Sequence, residues 1–248
     1  MSARNWPRKL TSFGRPRSPA PRAVLTALAV TGLCSALTWA SLSLTAEKRP
    51  PKRPSSCSYT PTRSGNPVGI PVFDAEKASQ PYKATLITNR GAVLLEVLSS
   101  QAPCAANSFA FLVGKGYFDN SECHRLTTQD VFTLECGDPK GEGKADPGYF
   151  FKDENLKGAT YPAGTVAMSK VVPGRNGSQF FISYADPDFP MPAHWTPFAR
   201  VVGGLDVLKE VAQSGTADGS TEGRPKKPVI IESVILRRAG SPFVSPSG

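Results

Sequence analysis

Residues 164–182 carry two short apolar runs, Gly164-Thr-Val-Ala-Met168 and Gln179-Phe-Phe-Ile182, the second opened by Asn176-Gly-Ser178. Neither is long enough for a helix, and both are rich in β-branched or aromatic residues, so each predicts a short strand. Neighbouring side chains of a strand point to opposite faces. Phe180 is therefore expected in the core and Phe181 on the other face. Similar runs lie at Cys123–Thr127, Val131–Cys136 and, last in the chain, Val229–Leu236. Upstream, Tyr82–Thr88 and Ala92–Leu98 flank Asn89-Arg90-Gly91, the pattern of a hairpin.

Two segments break this pattern with helical spacing. In the first, Pro103 suits a first helical turn, Ala105, Phe109, Leu112 and Val113 share a face, and Gly114 and Gly116 end it. The second places Leu205, Leu208, Val211 and Ala212 between Gly203-Gly204 and Gly215. Many short strands with two helices predict a mainly β fold: a closed barrel whose ends the helices cover. No internal repeat is present.

The chain has 248 residues, 40% of them hydrophobic, with 29 basic and 20 acidic residues for a net charge of +9. Such an excess can signal a nucleic-acid partner. Its distribution argues against one. Residues 1–54 hold ten of the basic residues and a single acid, Glu47, whereas residues 55–248 are balanced. The positive charge thus brackets a hydrophobic segment instead of painting a domain face, and no nucleic-acid partner is expected.

That segment, residues 23–46, is uncharged throughout. As a helix it would be about 36 Å long, enough to cross a hydrocarbon core of about 30 Å. With more basic residues before it than after, it predicts a single-pass signal-anchor in the cell membrane, residues 1–22 inside and the domain outside. Secretion after cleavage near Ala40 or Ala46 is the alternative. Residues 47–81 carry seven prolines and no apolar periodicity, which predicts an extended linker reaching on the order of 100 Å. Residues 82–238 form the one domain, and 239–248 read as a disordered tail.

Several motifs lead nowhere. Gly137-Asp-Pro-Lys-Gly-Glu-Gly143 lacks the Gly-Lys-Ser/Thr ending of a phosphate loop and predicts a surface loop. His124 and His194, the only histidines, have no ligand spacing, so no metal is expected. No Gly-x-Ser-x-Gly marks a serine hydrolase. Cys57, Cys104, Cys123 and Cys136 lie beyond the anchor, an even number in an oxidising compartment. Three pairings are open. Cys123 and Cys136 are one candidate bridge, since they fall on strands expected to be neighbours.

Three blocks taken together carry a resemblance. The first is Tyr117-Phe-Asp-Asn-Ser-Glu-Cys-His-Arg125 with Phe132-Thr-Leu-Glu-Cys-Gly-Asp-Pro139. The second is Gly164–Met168 with Asn176–Ile182. The third is Trp195-Thr-Pro-Phe-Ala-Arg-Val-Val202, running into Gly204-Leu-Asp-Val207. In order and spacing they resemble the cyclophilin-type peptidyl-prolyl cis-trans isomerases across residues 82–238. The loop before Phe132, two residues longer than usual, looks like a bacterial subgroup. The resemblance implies an eight-stranded antiparallel barrel capped by two helices, no cofactor, and proline-containing polypeptides as substrates.

It also implies roles. Arg125 matches the catalytic arginine. Phe132, Thr133, Phe181 and Met191 match the apolar pocket for the proline ring, and Gln179 a substrate-orienting amide. Ser169 and Lys170 match residues whose backbone binds the peptide, so their side chains are expected to matter less. Departures are visible too. Glu135 stands where the family has glutamine beside the arginine, and Trp195 replaces a histidine. Pro190 replaces a tryptophan, which leaves a cyclosporin-like ligand as an open partner. The competing expectation is a cyclophilin-fold module that binds proline segments or a membrane partner with little turnover.

Overall fold

The computed structural model describes residues 56–63, 67–144, 146–170 and 172–238. The basic N-terminus, the expected anchor at 23–46 and the tail lie outside the described residues. Among the described residues no helix is long and apolar enough to cross a membrane.

The chain begins with β1 (Thr60–Pro61) and the five-residue α1 (Ala75–Ser79), whose first amides are capped by the Asp74 carboxylate. β2 (Tyr82–Thr88) and β3 (Gly91–Val97) form the expected hairpin, with Asn89 and Arg90 at its turn and Tyr82 paired to Val97. α2 (Pro103–Gly114) starts on its proline and buries Ala105, Phe109 and Leu112. Then come β4 (Ser121–Glu122), β5 (Arg125–Thr127), β6 (Thr133–Cys136), β7 (Tyr149–Phe150), β8 (Thr165–Met168), β9 (Phe180–Ser183) and β10 (Pro197–Gly203). α3 (Leu205–Gln213), β11 (Glu222–Gly223) and β12 (Ile230–Arg238) complete the domain. Gly204, which opens α3, has φ 79°, and a Cβ there would lie 2.1 Å from the Ala92 carbonyl oxygen. Only glycine admits so close an approach of α3 to the hairpin.

β1 pairs with β7; the other ten strands form one curled antiparallel sheet, in the order β11-β5-β6-β9-β8-β10-β3-β2-β12-β4. The expectation of eight strands in a closed barrel is corrected to this extent: the fold is mainly β, but its ladder is interrupted. The break lies at Cys123 and His124, where the chain changes partners. The Cys123 amide donates to the Val229 oxygen and the His124 amide to the Glu135 oxygen, both at 2.9 Å. The stretch 121–127 therefore contributes to both ends of the curled sheet, as the edge strand β4 and as β5 next to the other edge strand, β11.

Inside the curl, Phe180 meets Phe109, Phe118 and Phe198, with ring centroids 5.9–6.3 Å apart. Burial of each such ring contributes roughly 1.5–3 kcal/mol. Leu126, Leu134, Ile182 and Val166 fill the same core from consecutive strands.

The linker expectation fails from Cys57 onward. Cys57 is disulfide-bonded to Cys104 at the start of α2, and Tyr59 is buried with its hydroxyl donating to the Cys104 oxygen at 2.9 Å. Asn107 on α2 donates to the Tyr59 oxygen and to Val72 O. Residues 57–63 and 67–80 are thus a strap on the domain. Prolines that break periodicity do not prevent packing when single side chains such as Tyr59 supply the contacts. The second disulfide joins Cys123 and Cys136. By loop entropy the bridges contribute about 4 and 3 kcal/mol respectively.

The N-terminus of α2 has no side-chain cap of its own, because Ala102 stands at the capping position. Glu154 supplies the missing acceptor, taking the Ala105 amide at 2.6 Å. Burial pushes the Glu154 carboxyl up to about 7, against the opposing pull of the Ala105 and Cys104 amides. The folded protein therefore holds this proton more tightly than the unfolded chain does. Its stabilising contribution is complete below pH ~4.5 and is lost as pH rises to about 7. Glu154→Gln, which cannot ionise, should remove that loss. The stability of the parent relative to the variant should fall by about 2–4 kcal/mol between pH 4.5 and 7.5 in denaturant titrations. A difference that stays flat across this range would show that Glu154 is not shifted.

Candidate active site

Register builds the site. Cα pairing runs Arg125 on β5 to Glu135 on β6, Glu135 to Phe181 on β9, Phe181 to Ala167 on β8, and Ala167 to Pro197 on β10. One row thus crosses five strands on the face opposite the core. Arg125 and Phe181 stand two strands apart, roughly 10 Å at the usual strand spacing.

Arg125 is held at two corners. Its Nη1 donates to the Glu135 carboxylate, and its Nε donates to Glu222 Oε1 at 2.8 Å. Burial pulls the guanidinium pKa down, but the hydrogen bond to Glu222 and the charges of both carboxylates outweigh it and raise it. Arg125 accordingly stays a cation. The Glu222 carboxyl is drawn below its ordinary range by the same hydrogen bond and charge. Two of the five guanidinium donors are occupied by these carboxylates, leaving donors that can face a ligand. Glu135 also has His124 Nε2 at 3.6 Å. The expected neighbour, Glu135, is therefore joined by Glu222, which sequence reasoning missed. Glu222 lies on a two-residue strand in a run of turns, where no periodicity marks it.

Around Phe181 the structure assembles an aromatic wall. Phe181, Tyr161 and Trp195 meet edge-on or tilted, with centroids 5.7–6.1 Å apart, and Met191 packs against the same cluster. The Tyr161 hydroxyl donates to the Trp195 carbonyl at 2.7 Å and accepts the Trp195 amide at 2.9 Å, fixing that loop. Tyr161 carries one signal in the sequence: it stands three residues before the Gly164 block. Phe132 lies apart from this wall, edge-on to Tyr184 at 6.0 Å. Thr133, expected as a pocket residue, is buried with its hydroxyl bonded to that of Thr127 at 2.8 Å. It serves the β5–β6 junction.

Ser169 donates its amide to the Gln179 carbonyl at 2.9 Å, joining the two peptide-binding candidates. Gln179 itself is buried. Close behind it, a Cβ on Gly137 would lie 2.4 Å from the Ser178 oxygen, so only glycine permits this packing. Lys170 requires a correction. Its side chain is 7% exposed, ion-paired with Asp153, and donates to the His194 carbonyl at 2.5 Å. Asp153 Oδ1 also accepts from Asn176 and Thr196. The Lys170 side chain therefore ties the segment after β8 to the loop that carries Trp195. The glycine-rich loop at 137–143 holds no room for a phosphate: the amides of Lys140, Glu142 and Lys144 all donate to the Asp138 carboxylate.

Residues 83–236 match the family described as Cyclophilin type peptidyl-prolyl cis-trans isomerase/CLD. A Mycobacterium tuberculosis protein named "Probable peptidyl-prolyl cis-trans isomerase B" is 35% identical over 215 residues, covering 77% of this chain and 69% of that one. Its Mycobacterium leprae namesake is 38% identical over 200 residues, covering 73% and 66%. A solved Cryptosporidium parvum cyclophilin type peptidyl-prolyl cis-trans isomerase superposes with a TM-score of 0.56 at 26% identity, covering 63% of this chain and 98% of that one. With more than half of its length matched in sequence, this chain belongs to the cyclophilin-type peptidyl-prolyl cis-trans isomerases, a family of enzymes.

Proposed function

We propose that the protein isomerises Xaa-Pro bonds of polypeptides outside the cytoplasmic membrane, with residues 23–46 as its anchor. The observation that carries the catalytic part is the Arg125–Glu135–Phe181 row beside the Trp195 wall. Rotation about a prolyl amide must break its resonance, a barrier near 18–20 kcal/mol. No nucleophile is required; the twisted state must be bound better than either planar one. As the amide twists, the prolyl nitrogen regains its lone pair and becomes an acceptor. A donor from the Arg125 guanidinium then bonds the transition state and not the ground state. Phe181, Met191 and Trp195 offer the ring an apolar surface, while Ser169 and Gln179 engage the peptide. The Cryptosporidium parvum relative was also solved in the presence of the dipeptide Ala-Pro, which supports this substrate class.

Location is inferred from two features. The uncharged 24-residue stretch follows a basic N-terminus. All four domain cysteines are in disulfides, which persist in oxidising compartments. Protease added to intact cells should cut between the anchor and Cys57, leaving a membrane-bound stub. Full protection, or a mature N-terminus beyond Ala40, would remove the anchored, domain-out reading.

The double carboxylate clamp on Arg125 favours a second reading, a slow enzyme that acts mainly as a binding module. Both readings meet the same assay. On the full-length protein, exchange NMR of an Ala-Pro peptide should show catalysis, and Arg125→Ala should lower kcat/KM by at least about tenfold, or about 1.4 kcal/mol. Equal rates for parent and variant would take Arg125 out of the mechanism.

Glu135→Gln tests the clamp itself. A neutral amide bonds a guanidinium about half as strongly as a carboxylate does. Releasing Nη1 from this pair should raise kcat/KM about three- to tenfold, with Glu222 still orienting Nε. If the variant, matched in circular dichroism, is no faster than the parent, the carboxylate does not restrain Arg125.

A further inference from the structure

The strap presents apolar side chains to water at one tip. Val72 is 87% exposed, whereas the other exposed large apolar residues among those described, Ile70 included, lie at 40–47%. Pro71 between the two is buried, so Ile70 and Val72 point away from the domain together. The tip is held from behind. Val68 and Phe73 pack against the core, and the Val72 carbonyl accepts from the Asn107 side chain on α2 at 3.2 Å. Single apolar residues are ordinary on a protein surface, but a neighbouring pair held in place is a contact surface.

The position of this tip points to its partner. Asn107 stands one turn along α2 from Cys104, which is disulfide-bonded to Cys57. Ile70 and Val72 are therefore on the side of the domain at which the chain arrives from the uncharged stretch 23–46. Between that stretch and Cys57 lie residues 47–56, and ten residues span at most about 36 Å. A domain of this size is on the order of 40 Å across, so the tether is no longer than the body it holds. The tether carries Lys48, Arg49, Lys52 and Arg53 against Glu47 alone, a balance that suits anionic headgroups. Beside the tip, the Asp74 carboxylate is engaged by the first amides of α1 and by Lys77.

We propose that Ile70 and Val72 dock on the surface of the lipid bilayer crossed by residues 23–46, seating among the headgroups while the tether's cations meet anionic lipid. The proposal rests on the anchored reading. Two aliphatic side chains would not hold a free protein on a membrane. A short tether changes the arithmetic, because it makes docking an intramolecular event at an effective concentration in the millimolar range. The anchor thus supplies the affinity, and the tip selects which side of the domain meets the lipid.

The test uses the full-length protein in nanodiscs of phosphatidylglycerol and phosphatidylcholine. In a Cys34→Ser background, Val72→Cys carries an environment-sensitive fluorophore, and Val202→Cys on β10 carries the same label as a control. Both positions are exposed, so neither label disturbs the core. A nitroxide on the lipid headgroups should quench the label at 72 at least about threefold more than the label at 202, as burial in the interface requires. Adding Ile70→Asp should bring quenching at 72 down to the level at 202. Equal quenching at the two positions, or quenching at 72 that survives Ile70→Asp, overturns the docking. So does a label at 72 that is shielded from water without being quenched by lipid, since a second copy or another protein would then cover it. Retention of the protein in the disc during size exclusion reads the anchor separately. Retention without quenching at 72 sinks the docking alone, whereas elution free of lipid sinks the anchored reading and the docking with it.

Discussion

The alternation of side chains along β5, β6, β9 and β8 is the constraint on which both the core and the site depend. Leu126, Leu134, Phe180 and Val166 point inward from these strands, while Arg125, Glu135, Phe181 and Ala167 form the row on the other face. Because the strand period is two, a slip of one residue on β9 would exchange Phe180 with Phe181. The core would lose its ring contacts and the aromatic wall would lose its centre. Register is guarded at both ends of this segment. The Cys123–Cys136 disulfide bridges the approach to β5 and the end of β6, and Gly137 lets the chain after β6 pass against Ser178.

Charge organises what register leaves undecided. A half-buried guanidinium without acceptors would be costly, and Glu135 and Glu222 satisfy it from opposite corners. The same pairs limit the freedom of the group to donate elsewhere, so stability and chemistry draw on the same donors. Lys170 is a different case. Its ammonium is nearly covered and meets a carboxylate and a carbonyl, so it acts as a fastener between two walls. Removing either partner would leave a buried charge without compensation, and the loop holding Trp195 would lose its tie.

Much of this was legible in the residues alone. The β2–β3 hairpin follows from Asn89-Arg90-Gly91, α2 from Pro103 and its apolar spacing, and the opposite fates of Phe180 and Phe181 from strand geometry. The neighbouring of Arg125 and Glu135 came with the family resemblance. What escaped notice has a common cause: it depends on contacts between segments distant in sequence and without a period. Glu222 reaches Arg125 across 97 positions and Tyr59 reaches Cys104 across 45, from segments that read as turns and linker. For Lys170 only the backbone has an expected role. Nothing local foretells that Asp153, 17 positions earlier, folds beneath it.

These distant contacts also join the strap to the site. Tyr59 donates to Cys104 at the start of α2, and the next amide, that of Ala105, is capped by Glu154. The Glu154 amide in turn donates to the Thr196 hydroxyl at 3.1 Å, and that hydroxyl donates to Asp153, the partner of Lys170. Each link satisfies a group that would otherwise be buried without a partner or left at a helix end. The strap therefore does more than thicken the domain. By anchoring the first turn of α2 it steadies the carboxylate beneath, and through Thr196 and Lys170 the same bonds hold the backbone of Trp195. A segment outside the family-matched region is in this way continuous with the wall expected to receive the proline ring.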